Sequence, residues 1–237
     1  MQRLLLILIL YLFPTISISD YVEQDTSDPI VPGYDLLYRQ MQMEGKVSQE
    51  AFMQAVTGFY SLEDRQKEIL TLIDFSKPST EERLYVIDMQ KKELLYSSHV
   101  SHGRNSGDNW ATSFSNEPGS YKSSLGFYRT DGTYQGKNGY SLLLNGLEKG
   151  INDKARERAV VMHGAPYSDP SVIRYAGRLG RSQGCPALPL KISQTIIDTI
   201  KQGSILFIYS EDPAYIENSP VLAMAFQDQQ PSSPHTS

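Results

Sequence analysis

Apolar positions along this chain follow two rhythms. Phe52, Ala55, Val56, Phe59 and Tyr60 recur at i, i+3, i+4, i+7 and i+8, the single stripe of a helix that packs by one face. Ser48 stands before it as a candidate N-cap, and Glu50 lies in the first turn, where the helix dipole favours an acid. Residues 34–44 predict a shorter helix stopped by Gly45. A third stripe, Ile192, Ile196, Ile197 and Ile200, begins after Pro189 and closes at Gly203. From residue 69 the rhythm is that of strands. Residues 69–75 form one run, broken by Lys77-Pro78-Ser79-Thr80. Residues 83–89 and 94–100 flank Gln90-Lys91-Lys92 and read as a hairpin; 140–144, 159–163 and 204–209 are further strands. Residues 101–124 are rich in Ser, Gly and Asn, yet Trp110, Phe114 and Tyr121 punctuate them. They predict a long ordered loop, of the kind that often carries function.

The two ends differ from the middle. Met1-Gln2-Arg3 is a short positive segment, residues 4–13 are almost unbroken apolar, and Ser17-Ile18-Ser19 supplies small residues before Asp20. This pattern predicts a secretory signal peptide over 1–19; an uncleaved anchor is the alternative, though the run is short for a membrane-spanning helix. Its removal takes away Arg3 and no acid, moving the net charge from −5 to −6. Residues 20–68 read as an extended lead-in and a small helical cap, 69–210 as the main, mostly β domain, and 211–237 as a C-terminal tail, disordered at its polar end. No internal repeat is visible.

Composition narrows the chemistry. A chain of 237 residues, 40% hydrophobic, can bury a core without disulfides. Its negative charge argues against a nucleic-acid partner. The single cysteine, Cys185, excludes an internal disulfide and a Cys-rich zinc or iron–sulfur site. In an oxidising compartment an odd cysteine points to intermolecular pairing or to a reactive thiol. Cys185 follows Ser182-Gln183-Gly184 and precedes Pro186; His163 ends an apolar run twenty-two positions upstream. A free thiol titrates near ~8.5, so it needs a neighbouring base to act as a nucleophile. The amides of Gly184 and Cys185 are candidate oxyanion donors, since Pro186 has none. Spacing alone leaves the inert reading open, because lone cysteines are usually buried packing residues.

The wording of the segment adds to this. A His-Gly pair (His163-Gly164), an intervening loop, then Ser182-Gln183-Gly184-Cys185-Pro186-Ala187 resembles the L,D-transpeptidase catalytic domain (the YkuD-like family), and most closely its murein branch. The stretches 100–107, 119–128 and 140–148 are similar as well, so the resemblance spans residues 69–209. It implies a mainly β fold with some α, a mixed β catalytic domain carrying the small N-terminal helical cap. It also implies Cys185 as nucleophile through a thioester, His163 as general base, Gly164 orienting the imidazole by its carbonyl, and the Gly184 and Cys185 amides as oxyanion donors. Ser182 takes the motif's hydroxyl position. Gln183 departs from the usual histidine, and Ala187 and Leu188 stand where a polar residue is common.

The resemblance further implies peptidoglycan stem peptides as partners, a periplasmic or cell-envelope location, and neither cofactor nor metal. Arg174, Arg178 and Arg181 are candidates for binding stem carboxylates, with a solvated basic face as the alternative. His102 is a candidate at the border of the site. A metal site from His99, His102 and His163 is disfavoured, because the chemistry needs a Cys–His pair free of metal. Trp110, Tyr121 and Tyr134 are either glycan-groove aromatics or plugs on the core. Transpeptidation, hydrolysis and non-catalytic wall binding all stay open at this point.

Overall fold

The computed structural model describes residues 33–63 and 65–227. The expected signal peptide, nearly all of the lead-in and the last ten residues lie outside them. Among the described residues no helix is long and apolar enough to cross a membrane.

Helix α1 (Tyr34–Gln40) ends earlier than the expected Glu44, because Gln42 turns to φ 53. Helix α2 (Gln49–Ser61) begins as expected: the Ser48 hydroxyl accepts from the Ala51 amide at 3.1 Å. Its stripe buries Phe52, Ala55, Val56 and Phe59, while Tyr60 stays exposed and stacks on Tyr34. The close seat of α2 on the sheet needs Gly58, where a Cβ would fall 2.0 Å from the Phe127 ring.

Eight strands form one mixed sheet: β1 (Ile69–Asp74), β2 (Leu84–Asp88), β3 (Glu93–Ser98), β4 (Gly126–Gly136), β5 (Gly139–Gly146), β6 (Val161–Gly164), β7 (Ala187–Leu188) and β8 (Ile205–Tyr209). They lie in the order β3-β2-β1-β8-β4-β5-β6-β7. The pairs β1–β8 and β6–β7 are parallel and the rest antiparallel. Strand β8 is buried on both sides, which explains its unbroken apolar run, Ile205 to Tyr209. Beyond β3 the chain reaches Ser101, which pairs with Ala187 of β7 through two backbone hydrogen bonds of 2.8 and 3.3 Å. That bridge joins the two edges of the sheet and makes it barrel-like.

Strand β5 contains the expected strand 140–144, but its hairpin partner β4 was not legible in the sequence. Its alternation is interrupted by a register shift between Thr130 and Thr133, where Asp131 and Gly132 bulge out. After β6 come two short 3-10 turns and α3 (Ile173–Ala176); α4 (Leu190–Ile200) then leads from β7 back to the central β8. The Ile196, Ile197 and Ile200 stripe of α4 is buried as the spacing predicts.

The segment assigned to the tail contains α5 (Pro213–Asn218) and α6 (Pro220–Gln227), with α6 packed on α2 and Tyr215, Val221 and Leu222 buried. Their anchor is Glu148, fully buried. It accepts from the Phe127 amide at 2.6 Å, from the Tyr215 hydroxyl at 3.1 Å and from Ser219 Oγ. Burial raises the Glu148 pKa, and the three donors oppose that rise.

Candidate active site

His163 lies on β6 between two strands, opposite Ser141 of β5 and Ala187 of β7. Cys185 sits in the short loop that enters β7, two residues from the bridge that closes the sheet. Both side chains line one cleft of about 450 Å³. The strand ladder places the imidazole, and the closure of the barrel places the thiol.

The local backbone of the Cys185 loop is held from within. Ser182 Oγ donates to the Cys185 carbonyl at 2.6 Å and accepts from the Gly184 amide at 3.0 Å. The Gly184 amide is therefore committed inside the loop, which corrects the expectation that it faces an oxyanion. Gly184 serves instead through its backbone: it adopts φ +117, and a Cβ there would fall 2.8 Å from the Lys122 carbonyl. The Cys185 amide takes no partner among the described residues and is left as the loop's available donor. Ser182 is thus a brace of this loop, and it also lines the cleft.

The imidazole is oriented by its own neighbour. His163 Nδ1 lies 3.0 Å from the Gly164 carbonyl, which can only accept, so Nδ1 carries the hydrogen and Nε2 keeps a free lone pair. A Cβ on Gly164 would meet Ser193 Oγ at 2.4 Å, so glycine is required for this seat. Burial lowers the His163 pKa from the ordinary 6.5. Burial also raises the Cys185 thiol, partly offset by the Val161 amide and by Arg158. The thiol contacts the Ala159 carbonyl at 3.8 Å and the Val161 amide at 3.5 Å. The resting pair is accordingly a neutral thiol and a neutral imidazole.

The Ser/Gly/Asn loop forms the far wall. His102 and Arg104 clasp Ser182 by backbone bonds of 2.9 and 2.8 Å, and Ser123 Oγ reaches the Gly184 carbonyl at 3.3 Å. Tyr121 from this loop lines the cleft, with the Arg104 guanidinium 4.0 Å above its ring. Of the three arginines expected to bind carboxylates, only Arg181 reaches the cleft. Arg178 points to Asp108 at 2.6 Å and to the Leu179 carbonyl, and Arg174 is exposed on α3. Both expectations failed because neighbours on a tightly turning segment do not share a face.

The cations that the sequence reading missed are Arg104, Lys137 and Arg158, each from a different segment. With Arg181, whose guanidinium pairs with Asp108 at 3.2 Å, they line the cleft with four cations and, among the described residues, no carboxylate. Arg158 is fixed by the Ser115 and Lys122 carbonyls at 2.7 and 2.6 Å and by the Ser124 hydroxyl. Tyr167, also missed, lines the same wall, and burial pushes its pKa up to about 12.

His102 does not border the cleft. It is 1% exposed, accepts from Arg83 Nη2 at 2.8 Å on Nδ1 and packs edge-on against Phe75. Burial and the adjacent guanidinium lower its pKa to about 3. Its place in the chain suggested the site, but its side chain turns into the core. His99 lies against the Thr80 carbonyl. Among the described residues no three His, Cys, Asp or Glu side chains are placed to hold a metal. Tyr134 and Trp110 are exposed away from the cleft.

With this geometry in place, the chain can be assigned: it belongs to the L,D-transpeptidase catalytic domain family, whose model matches residues 43–209. Solved structures similar to it include an L,D-transpeptidase from Mycobacterium smegmatis (14% identity, TM-score 0.38, 60% of this chain and 59% of that one). Another is an L,D-transpeptidase from Stackebrandtia nassauensis (13%, 0.38, 75% and 76%). A third is the helical cell shape determining protein Pgp2 from Campylobacter jejuni (12%, 0.42, 67% and 56%). No curated protein matches the chain in sequence.

Proposed function

We propose that this chain is an exported cysteine acyltransferase acting on peptidoglycan stem peptides. The observation that carries the reading is the cleft shared by Cys185 and His163, in which the Nδ1 bond to Gly164 leaves Nε2 as the free base. Cys185 Sγ attacks the carbonyl of the bond joining an L-centre to the terminal D-alanine of a tetrapeptide stem, and its proton passes to His163 Nε2. The oxyanion is met by the Cys185 amide. Collapse expels D-alanine, whose amine takes the proton from Nε2, and leaves the acyl group as a thioester. An incoming amine then attacks the thioester, gives its proton to Nε2, and the thiol is restored. Stem carboxylates suit the cationic wall of Arg104, Arg158 and Arg181, since guanidinium forks pair with carboxylates.

Incubation with purified muropeptides, followed by mass analysis beside Cys185→Ala, tests this reading. The expected result is loss of D-alanine with a transient adduct on Cys185, absent in the alanine variant. Identical behaviour of the two chains would sink the proposal in favour of wall binding. Release of D-alanine without cross-linked product would make water the acceptor and the enzyme a hydrolase.

A further inference from the structure

A second groove, of about 490 Å³, opens between the turn carrying Trp110 and the segment that follows β8. Trp110 is 50% exposed there, the chain's sole tryptophan. Beside it lies Phe114, itself stacked on buried Phe75 with centroids 6.3 Å apart. Glu211 and Asp212 rim the groove, and among the described residues no cation lines it.

The indole is held out by a braced turn. Gly107 adopts φ +150 where a Cβ would strike the Trp110 carbonyl at 2.1 Å, and the Thr112 amide returns to the Ser106 carbonyl at 2.8 Å. Just before the tryptophan, Asn109 is tied to Ser79 by backbone and side-chain bonds, both 2.8 Å. A large ring fixed in solvent forgoes burial, and the fixing lowers the entropy lost when a ligand covers it.

We propose that this groove binds a neutral saccharide. The C–H face of a sugar ring is weakly positive and fits the negative face of an indole, while its hydroxyls donate to carboxylates such as Glu211. The two acids disfavour an anionic lipid or peptide. The proposal rests on the reading above in one respect: the saccharide is the glycan of the polymer whose stem peptide enters the catalytic cleft. The loop 101–124 contributes to both sites, with Arg104 and Tyr121 at the cleft and Trp110 to Phe114 at the groove.

The test is titration of the Cys185→Ala chain with chitotetraose, an N-acetylglucosamine oligomer, following fluorescence of the single tryptophan and, separately, heat. A saturable spectral shift is expected. In calorimetry, Trp110→Ala should weaken binding by about tenfold or more and Trp110→Phe by only a few-fold. No saturable change, or a shift produced by oligolysine and not by the saccharide, would overturn it. Because this readout needs no turnover, saccharide binding without D-alanine release by the wild type refutes the acyltransferase reading alone. Turnover with a silent tryptophan refutes the groove alone.

Discussion

Cys185 sits in surroundings that withhold its charge, since burial raises the thiol and lowers His163. In the proposed mechanism neither group needs to ionise before substrate arrives; the proton crosses to Nε2 as the bond to carbon forms. On the proposed mechanism the acid limb of the acylation profile reports His163. Because burial depresses that pKa, the limb should fall below the ordinary 6.5, and thioester formation measured from pH 4 to 8 checks it. A limb at or above 6.5 would contradict a buried neutral base. Arg104 is exposed over Tyr121, free of any ion pair among the described residues and held by few contacts. Arg104→Ala should leave stability within about 0.5 kcal/mol and raise KM for a carboxylate-bearing donor by roughly tenfold or more. Steady-state kinetics beside a melting curve separate the two effects.

The decisive element is the loop junction around Ser182. Its hydroxyl supplies two hydrogen bonds that shape the turn before Cys185. Ser182→Ala leaves the Gly184 amide and the Cys185 carbonyl without that partner. It should cost about 1–3 kcal/mol of stability and lower kcat more than it raises KM. Opposite it, Gly103 pairs with Ser182 in an isolated bridge, and a Cβ there would lie 2.5 Å from the Tyr121 carbonyl and 3.0 Å from Gly184 Cα. These are backbone contacts that no rotamer relieves. Gly103→Ala should destabilise the fold by roughly 1–3 kcal/mol and abolish acylation, as read by thermal melting and adduct mass.

At the scale of the whole molecule, the buried His102–Arg83 pair links stability to pH. His102 titrates near 6.5 when unfolded and at about 3 when folded, so the unfolded chain binds the extra proton throughout the interval. Stability from this group is complete above 6.5 and is lost as pH falls towards 3, on the order of 3–5 kcal/mol at the bottom. Glu148 works in the opposite sense. Its raised pKa means the folded state takes the proton first, so stability rises as pH falls through that raised pKa and levels off at about 4.5. Melting temperatures from pH 7 to 3.5 should fall in the wild type and fall less in His102→Asn.

Much of this architecture follows from local pattern. The α2 stripe with its Ser48 cap, the β2–β3 hairpin, the α4 isoleucines and the motif that singles out His163 and Cys185 all depend on residues near one another in the chain. Backbone propensity and a short motif suffice for such features. Strand β4 escaped because a bulge breaks its period of two, and α5 and α6 escaped because their apolar faces make sense only against α2 and Glu148. The cleft's cations were sought in a run of neighbours and came instead from four separate segments.

What the sequence determined by itself was most of the elements and a candidate nucleophile and base, Cys185 and His163. Only the tertiary structure decided that Ser101 and Ala187 close the sheet, that the Gly184 amide is spent on Ser182, and that His102 is a neutral core residue. Each of these turns on which distant groups displace water from a given atom, and desolvation is a property of the packed chain rather than of its order.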